Sequence, residues 1–248
     1  MLTNESLRLM IAIQHLSKRF GKLTVLNDVC LTLQGGHCVA LIGPNGSGKT
    51  TLIKSILGMV VPQSGKITVK GKDIANEWQY RNRIGYMPQI GRYPENMSIG
   101  QVLNMMKDIR KMPESALDKE LFVAFGLDGM LDKRMRTLSG GTRQKVSACL
   151  AFLFNPEVLI LDEPTAGLDP LSTELLKDKI ITETQRNKLV IITSHVLSDL
   201  DDLVSEVIYM QEGKPLFHKS LQSLKTATGT DKLSKAVAQV IAIHELID

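Results

Sequence analysis

An α/β fold with a mixed, mostly parallel β-sheet is predicted by three features of the sequence. Strand-like runs alternate with helical patterns along the 248 residues, as in sheets whose strands are joined by helices. Two of these runs, residues 158–161 and 189–192, are continuously apolar, which is typical of strands covered on both faces. The runs before Gly43 have the pattern of antiparallel strands, so we expect a mixed sheet with an antiparallel β subdomain.

The individual elements follow from the spacing of apolar residues. Short apolar and β-branched runs predict strands at residues 11–15, 29–33, 38–42, 67–69, 158–161, 189–193 and 206–210. Apolar residues at helical spacing predict helices at residues 49–57, 140–154 and 172–185. Several of these helices follow a predicted strand, as crossover helices do.

The strand pattern is missing between residues 94 and 136. Helical patterns occur at residues 97–112 and 116–125, with Pro113 between them. Because these helices interrupt an otherwise alternating chain, we expect an inserted α-helical subdomain at about residues 90–137.

The end of the sequence changes character again. Residues 226–231 are small and polar, which indicates a linker. Beyond it, apolar residues at helical spacing predict a helix laid on the body of the protein, through Leu233, Val237, Val240, Ile241 and Ile247. We therefore expect one large domain at residues 10–225 and a short linker and helix at residues 226–248.

The composition excludes several classes of protein. Hydrophobic residues make up 43% and charged residues 23%, as in globular chains. The longest apolar runs, such as residues 148–154, are far shorter than the roughly 20 residues of a membrane-spanning helix. A net charge of +4 is too small to indicate nucleic-acid binding. Cys30, Cys38 and Cys149 have no metal-ligand spacing, so we interpret them as reduced thiols of a cytosolic protein.

Residues 43–50 match the phosphate-loop pattern at every position, between a predicted strand and a predicted helix. Glycines let several backbone N–H groups point at one anion, and the helix N-terminus adds the positive end of its dipole. Lys49 is expected to contact the β- and γ-phosphates, and the Thr50 hydroxyl to bind Mg²⁺. The core is therefore predicted to be a P-loop NTPase of the RecA-like type, with nucleotide-binding residues Gly43, Pro44, Asn45, Gly46, Ser47, Gly48, Lys49, Thr50 and Thr51.

Two adjacent carboxylates, Asp162 and Glu163, follow the apolar run 158–161. An apolar strand that delivers carboxylates to its end is the expected second half of a nucleotide site. We predict that Asp162 holds Mg²⁺ and that Glu163 polarises the attacking water as general base.

Residues 138–145, with the sequence LSGGTRQK, narrow the class of NTPase. Here the chain resembles the nucleotide-binding subunit of ABC transporters, whose LSGGxxQ signature lies before a helix and ahead of the metal-binding aspartate. The resemblance implies a head-to-tail dimer. In that dimer Ser139, Gly140 and Gly141 of one subunit contact the ATP held by the phosphate loop of the other.

The other motifs of this family appear in order along the chain. Gln89 resembles the Q-loop glutamine that contacts Mg²⁺ and the water, and Asp169 resembles the D-loop aspartate at the dimer interface. His195 resembles the switch histidine that contacts the γ-phosphate, and Phe20 takes the place of the aromatic residue that stacks on adenine. The resemblance thus implies the catalytic residues Glu163, His195, Gln89 and Lys49, and the metal ligands Thr50, Gln89 and Asp162.

The resemblance also implies an ATPase that uses ATP and Mg²⁺ and acts as a homodimer. It would power separate integral membrane permease subunits, peripherally on the cytoplasmic face of the membrane, with the permease docked near residues 89–98. The single cassette is similar to partners of ABC-2-type permeases. Residues 85–96 are similar to NosF-type subunits, which move a copper- or sulfur-related species for nitrous oxide reductase maturation.

A different class of ABC-type ATPase acts in DNA repair or on ribosomes without a membrane partner. Those on DNA carry long coiled coils, and those on ribosomes usually carry two cassettes. This sequence has one cassette and no heptad array, which favours transport, and we expect no nucleic-acid partner.

Overall fold

Two β-sheets organise residues 9–245, the part of the chain that this computed structural model describes. The strands are β1 (Leu9–Phe20), β2 (Leu23–Gln34), β3 (Cys38–Ile42), β4 (Ser64–Val69), β5 (Lys72–Asp73), β6 (Ile84–Met87), β7 (Val158–Asp162), β8 (Leu189–Thr193), β9 (Glu206–Gln211) and β10 (Lys214–Ser220). The helices are α1 (Lys49–Ile56), α2 (Ile99–Arg110), α3 (Glu120–Ala124), α4 (Gly140–Phe152), α5 (Pro170–Gln185), α6 (Leu221–Thr228) and α7 (Leu233–Glu245). None of these helices combines the length and the apolar composition needed to cross a bilayer.

The larger sheet has the strand order β10–β9–β3–β8–β7–β6. Its strands are parallel except for β10, which is antiparallel to β9. Because the carboxyl ends of parallel strands meet at one edge, the loops after β3, β6, β7 and β8 lie together there. These loops begin with Gly43, Pro88, Glu163 and Ser194.

The large sheet is covered on both faces, and alternate residues of β3 divide between two cores. Cys38, Ala40 and Ile42 pack into the core that holds the helical insertion and the C-terminal helices. Val39 and Leu41 pack into the core shared with α1 and the smaller sheet. This burial on both faces explains why β3, β7 and β8 are apolar without alternation.

The smaller sheet, β2–β1–β4–β5, is antiparallel. The predicted antiparallel β subdomain is therefore present, but the prediction that all strands before Gly43 are antiparallel is wrong for β3. That strand pairs in parallel with β8 and β9, and it is buried on both faces as strands of parallel sheets usually are. The mixed character of the large sheet comes from β10, a strand that the sequence analysis missed.

The segment between β6 and β7 is helical, but its second helix is shorter than predicted. The first helix, α2, begins with a capping box in which Ser98 and Gln101 satisfy each other's backbone N–H groups. The predicted helix at residues 116–125 is only α3, preceded by a 3₁₀ turn at Glu114–Ala116. The Asp118 carboxylate accepts a hydrogen bond from the N–H of Glu120, an Asx turn that stops the helix from beginning earlier.

The C-terminal part follows the prediction with one correction. The predicted linker at residues 226–231 is partly helical, because α6 continues to Thr228 and ends at Gly229 in the left-handed conformation. In α7, Leu233 and Val237 are buried, and the N–H of Leu233 donates to Oδ1 of Asp201 at 2.7 Å. The predicted apolar residue Ile247 lies outside the described residues.

A buried charged network joins the helical insertion to α5. Lys179, only 3% exposed, donates to carboxylate oxygens of Asp118 and Glu120 at 2.6 Å, and it lies 3.1 Å from Glu183. Burial alone lowers the pKa of Lys179, but its hydrogen bonds to Asp118, Glu120 and Glu183 outweigh burial and raise it. Burial alone raises the pKa of Glu183, and its ion pairs with Lys188 and Lys179 lower it. Both groups are therefore held charged at neutral pH.

We predict that Lys179→Met lowers the free energy of unfolding by about 2 kcal/mol, because it leaves buried carboxylates with fewer cations. Urea unfolding at pH 7 measures this loss. The matched control, Lys177→Met on the same helix, removes a cation whose partner Glu174 is exposed, and it should cost less than about 0.5 kcal/mol.

The pH dependence has a definite sign. Folding lowers the pKa of Glu183, so the network stabilises the folded state at any pH above the ordinary pKa of a carboxylate. This stabilisation is lost as the pH falls through the lowered pKa of the folded state. The difference between the Lys179→Met variant and the parent should therefore shrink in acid. An equal difference at pH 7 and in strong acid would contradict the assigned charges.

Candidate functional site

A cleft of about 210 Å³ opens at the carboxyl edge of the large sheet. It collects the ends of β3, β6, β7 and β8, together with one residue of β2. The residues that line it are Val25, Asn45, Gly46, Ser47, Gly48, Lys49, Thr50, Thr51, Gln89, Asp162, Glu163, Thr193 and His195. Most of the predicted phosphate-loop, metal and catalytic residues thus face one space, although they come from four separate segments of the sequence.

The loop after β3 can adopt its shape only with glycine at two positions. Gly43 and Gly48 have φ values of 145° and 103°, a region that other residues rarely enter. A Cβ atom at Gly43 would lie 2.1 Å from the carbonyl oxygen of Met210, and one at Gly48 would lie 2.6 Å from that of Val25. Any side chain at either position would therefore collide with backbone.

The phosphate loop contains hydrogen-bond donors that have no acceptor among the described residues. Gly48 begins α1 without a capping side chain from the described residues, so the first N–H groups of that helix face the cleft uncapped. The Ser47 hydroxyl is buried and has no hydrogen-bond partner among the described residues. An uncapped helix start beside a buried orphan hydroxyl fits a bound phosphate group.

Lys49 lies folded over the same loop. Its Nζ donates to the carbonyl oxygens of Gly43 at 2.7 Å and Pro44 at 2.9 Å. Partial burial lowers the pKa of Lys49, while the nearby carboxylates of Glu163 and Asp162 act in the opposite direction. The ammonium group therefore belongs to the same electrostatic cluster as the two carboxylates.

Asp162 and Glu163 are tied to the end of the neighbouring strand by Thr193. The register of β7 and β8 places Asp162 opposite Thr193. The Thr193 hydroxyl donates to Oδ1 of Asp162 and accepts from the N–H of Glu163 at 3.2 Å. One hydroxyl thus fixes the position of both acidic residues.

The backbone of Glu163 is in the left-handed conformation, with φ of 54°. This conformation costs a non-glycine residue about 1–2 kcal/mol. It is held by two further contacts, since the N–H of Glu163 also donates to the carbonyl oxygen of Thr193 and its own carbonyl accepts from the Gln144 side chain. Strain that surrounding groups maintain is characteristic of functional positions.

His195 contacts the side chain of Glu163. Its Nε2 is 3.2 Å from Oε1 of Glu163, and its side chain is 56% exposed, compared with 13% for Glu163. An exposed imidazole that contacts a mostly buried carboxylate can reach a ligand in the cleft while it orients that carboxylate.

Oxygen donors suited to a magnesium ion also face the cleft. They are the Thr50 hydroxyl, the Asp162 carboxylate and the Gln89 side-chain amide. Mg²⁺ prefers oxygen ligands and usually combines one or two protein groups with phosphate oxygens and water. These residues fit that pattern.

The signature segment touches the backbone of Glu163 through Gln144 but does not line the cleft. No residue of 138–145 is among the described residues that line the cleft. Ser139 caps α4 by accepting from the N–H of Thr142 at 3.2 Å, so this helix start is capped within the chain. A Cβ at Gly141 would lie 2.7 Å from the carbonyl oxygen of Gly167, while one at Gly140 would meet nothing within 4 Å. Gly140 is therefore the open position of the signature.

Asp169 lies beside the signature rather than beside the cleft. Its carboxylate caps α5 through the N–H of Ser172 at 2.9 Å and pairs with Nζ of Lys145 at 2.7 Å. The contacts with Lys145 and Ser172 hold the pKa of Asp169 well below its usual range. The predicted D-loop residue is thus a fixed anion next to the signature helix.

Phe20 is also outside the described lining of the cleft. It ends β1, is 51% exposed, and has Nζ of Lys18 at 5.0 Å from the ring centroid. On the same hairpin, Val25 does line the cleft. An exposed aromatic ring at this end of the hairpin leaves a face available for stacking.

Sequence reasoning missed Thr193 and Gln144 as functional positions. Thr193 directly precedes the Ser194-His195 pair, and Gln144 is the glutamine of the signature, so both belonged to motifs already singled out. Their contacts with Asp162 and Glu163 depend on strand register and helix packing, which the sequence does not display.

Comparisons with known proteins agree on one family. A profile described as ABC transporter matches residues 26–166. The Nod factor export ATP-binding protein I of Burkholderia lata is 31% identical over 210 residues, which cover 83% of this chain and 69% of that protein. The lantibiotic transport ATP-binding protein SrtF of Streptococcus pyogenes is 34% identical over 213 residues, covering 85% and 90%.

A solved structure of the ATP-binding subunit of an ABC transporter has the same fold. It matches with a TM-score of 0.87 and 26% identity, covering 94% of this chain and 99% of that one. The chain therefore belongs to the ABC transporter family and is an ATP-binding subunit that hydrolyses ATP.

Proposed function

We propose that this chain is the motor of a membrane transporter, in which two copies close head to tail around two ATP molecules and drive a separate permease. One observation carries the proposal: the cleft that holds the phosphate loop contains none of the signature residues 138–145 among its described lining. The chain thus presents two anion-binding helix starts on different surfaces, and a second copy is needed to bring them to the same phosphates.

In this proposal the triphosphate binds in the cleft of one subunit. The N–H groups at the start of α1 and the Ser47 hydroxyl donate to it, and Lys49 exchanges its contacts with the Gly43 and Pro44 carbonyls for phosphate oxygens. Phe20 stacks on the adenine ring. Thr50, Asp162 and Gln89 would hold Mg²⁺, which would neutralise charge on the phosphates.

Glu163 acts on the water. Thr193 fixes the backbone of Glu163, and His195 contacts its carboxylate. A carboxylate fixed in this way accepts a hydrogen bond from water and orients it toward the γ-phosphate. His195 donates to the same phosphate, and Lys49 and the partner copy's signature stabilise the negative charge that develops.

The second copy completes the site through its signature. The Gly140 position is sterically open, so a phosphate can approach the start of α4 closely. Ser139 and Gly141 flank that approach. Asp169 is paired with Lys145 and lies two residues after Gly167, whose carbonyl oxygen closely approaches Gly141 of the signature. We expect it to meet the partner copy there.

A separate groove is suited to the permease. It is lined by Met59, Tyr86, Pro88, Tyr93, Met106 and Phe154, with Arg81, Arg92 and Arg110 at its walls. No acidic residue is among the described residues that line it. An apolar groove edged by three arginines fits an amphipathic helix with acidic residues, and we place the docking helix of the permease there. In this proposal the chain lies peripherally on the cytoplasmic face of a membrane.

In this proposal the permease, and not this chain, selects the transported substance. The relatives named above are an exporter component for Nod factor and a lantibiotic transport component, and by similarity we propose export here. The narrower hypothesis, transport of a copper- or sulfur-related species with an ABC-2-type permease for nitrous oxide reductase maturation, stays a prediction. Its test is the copper content of that enzyme after deletion of this gene.

We predict that Glu163→Gln retains ATP binding but lowers phosphate release by a hundredfold or more, in line with the usual contribution of a general base, about 10²–10⁴. It should also accumulate an ATP-bound dimer, measured by size-exclusion chromatography with light scattering. Glu174→Gln, at an exposed carboxylate, is the control and should leave turnover unchanged. Normal turnover in Glu163→Gln would contradict the assigned base.

We predict complementation between two inactive variants. Lys49→Ala disables the phosphate loop, and Gly140→Glu places a negative charge on the signature at a position with open space. Each homodimer has two damaged sites. A mixed dimer has one intact site, so mixing should restore turnover toward about a quarter of the parent, since about half of the dimers are mixed.

The control for this pair is Gly129→Glu, also at an open position, which should leave the parent active. Phosphate release is measured for each variant alone and for the mixture after subunit exchange. No recovery in the mixture would show that each chain works with its own signature.

We predict that Arg92→Glu weakens copurification of a membrane protein with the tagged chain from its host, because it reverses one charge of the groove. The loss should be roughly tenfold, the equivalent of about 1.4 kcal/mol, with ATP turnover of the isolated chain unchanged. Lys235→Glu on α7 is the control and should keep the partner. Copurification of ribosomes or DNA instead would favour the non-transport class of ABC ATPase.

A further inference from the structure

Two β-bulges lie next to each other in the β1–β2 pair. Ile13 pairs with Leu31 and Leu16 with Val29, so β1 has one extra residue between these two pairs. Lys18 then pairs with Leu26, so the next extra residue is on β2. The two irregularities cancel in register, because each strand contributes one extra residue.

The bulges turn three polar side chains to one face. Gln14 and His15 oppose Cys30, and His15 has φ of 51°; on β2, Asp28 has φ of 54°. In a regular strand the side chains alternate, so Ile13 and Leu16 could not both face the core. Here Leu16 and Val29 remain fully buried, while His15, Asp28 and Cys30 are exposed on the outer face.

The three side chains lie close enough to share one ligand. Nδ1 of His15 is 2.8 Å from Oδ1 of Asp28, and Sγ of Cys30 accepts from the N–H of His15 at 3.2 Å. One ligand atom from each residue lies within 4.8 Å of the other two. In a tetrahedral zinc site, bond lengths of about 2.0–2.3 Å place the ligand atoms roughly 3.3–3.8 Å apart. The cluster therefore needs only small side-chain rotations to match that size.

The ligand types of His15, Asp28 and Cys30 indicate which metal would bind. A thiolate, an imidazole and a carboxylate together suit a borderline-soft divalent ion rather than Mg²⁺ or Ca²⁺, which prefer oxygen alone. An exposed cysteine is also unusual, since cysteine is among the residue types most often buried. Here the exposed thiol lies beside an imidazole and a carboxylate that can share one ion with it.

We propose that His15, Asp28 and Cys30 bind one Zn²⁺ ion, with water at the fourth position. The site lies on the outer face of the antiparallel sheet, and none of its three residues lines the nucleotide cleft. Sequence spacing gave no indication of it, because residues 15, 28 and 30 meet only through the two bulges. The ion would join the two bulged strands, so its binding also stabilises the β1–β2 hairpin.

The three cysteines make a direct test possible. Cys30 is exposed, whereas Cys38 and Cys149 are buried, and burial raises the pKa of Cys38 to about 12. Alkylation of the folded, chelator-treated full chain, followed by mass spectrometry of peptides, thus reports on Cys30 with two unreactive internal standards. We expect added Zn²⁺ to slow alkylation of Cys30 at least tenfold.

Variants separate the three-ligand site from a zinc ion held by the thiol alone. His15→Gln and Asp28→Asn should each lose most of this protection, while Glu77→Gln, at an exposed carboxylate on another loop, should keep it. Equal protection in all four proteins would overturn the proposal, as would no protection in the parent. Retained ATP binding in each variant checks that the chain is folded, because none of these residues lines the cleft.

Cobalt gives a second measurement that does not depend on reactivity. Titration of the apo chain with Co²⁺ should produce a thiolate-to-metal charge-transfer band that saturates at one equivalent and disappears when Zn²⁺ is added. Cys30→Ser should abolish the band. A band that persists in Cys30→Ser, or that needs several equivalents, would contradict a site built on this cysteine.

Discussion

The negative charge of a triphosphate is the constraint on which this structure depends. A chain can offer concentrated positive partial charge at the start of a helix, and this chain has two such starts, at Gly48 and at Ser139. They open on different surfaces, because α1 follows the central strand β3 while α4 follows the helical insertion. The geometry therefore favours a machine of two copies, in which closure and phosphate binding are one event.

The parallel sheet brings residues from distant parts of the sequence together in one site. Because β7 and β8 are adjacent, Asp162 lies opposite Thr193, and the strained Glu163 comes next to His195. The strain at Glu163 is maintained by hydrogen bonds from two other segments, which include the glutamine of the signature. The signature helix thus contacts the backbone of the residue that we propose as the general base.

The fold and the site differ in how much of each could be predicted from sequence. Continuous apolar runs predicted β7 and β8, and the pattern of residues 43–50 predicted a phosphate-binding loop that needs its glycines. Both predictions succeeded because each feature depends on a short stretch of sequence. The contacts of Thr193 could not be predicted, since they require the β7–β8 register. Strand β10 was missed because Pro215 and the polar residues at both of its ends leave only Leu216 and Phe217 as a strand signal. The bulges at His15 and Asp28 were visible only as irregular apolar spacing between Ile13 and Leu16, which sequence analysis cannot distinguish from a strand end.

The dependence of turnover on protein concentration tests the central claim most directly. Initial phosphate release per chain is measured over a wide dilution series at saturating ATP and Mg²⁺, with the oligomeric state followed by analytical ultracentrifugation. We predict that release per chain falls in parallel with the fraction of dimer as the protein is diluted. Constant release per chain, in samples shown to be monomeric, would contradict an account in which the site is completed by a second copy.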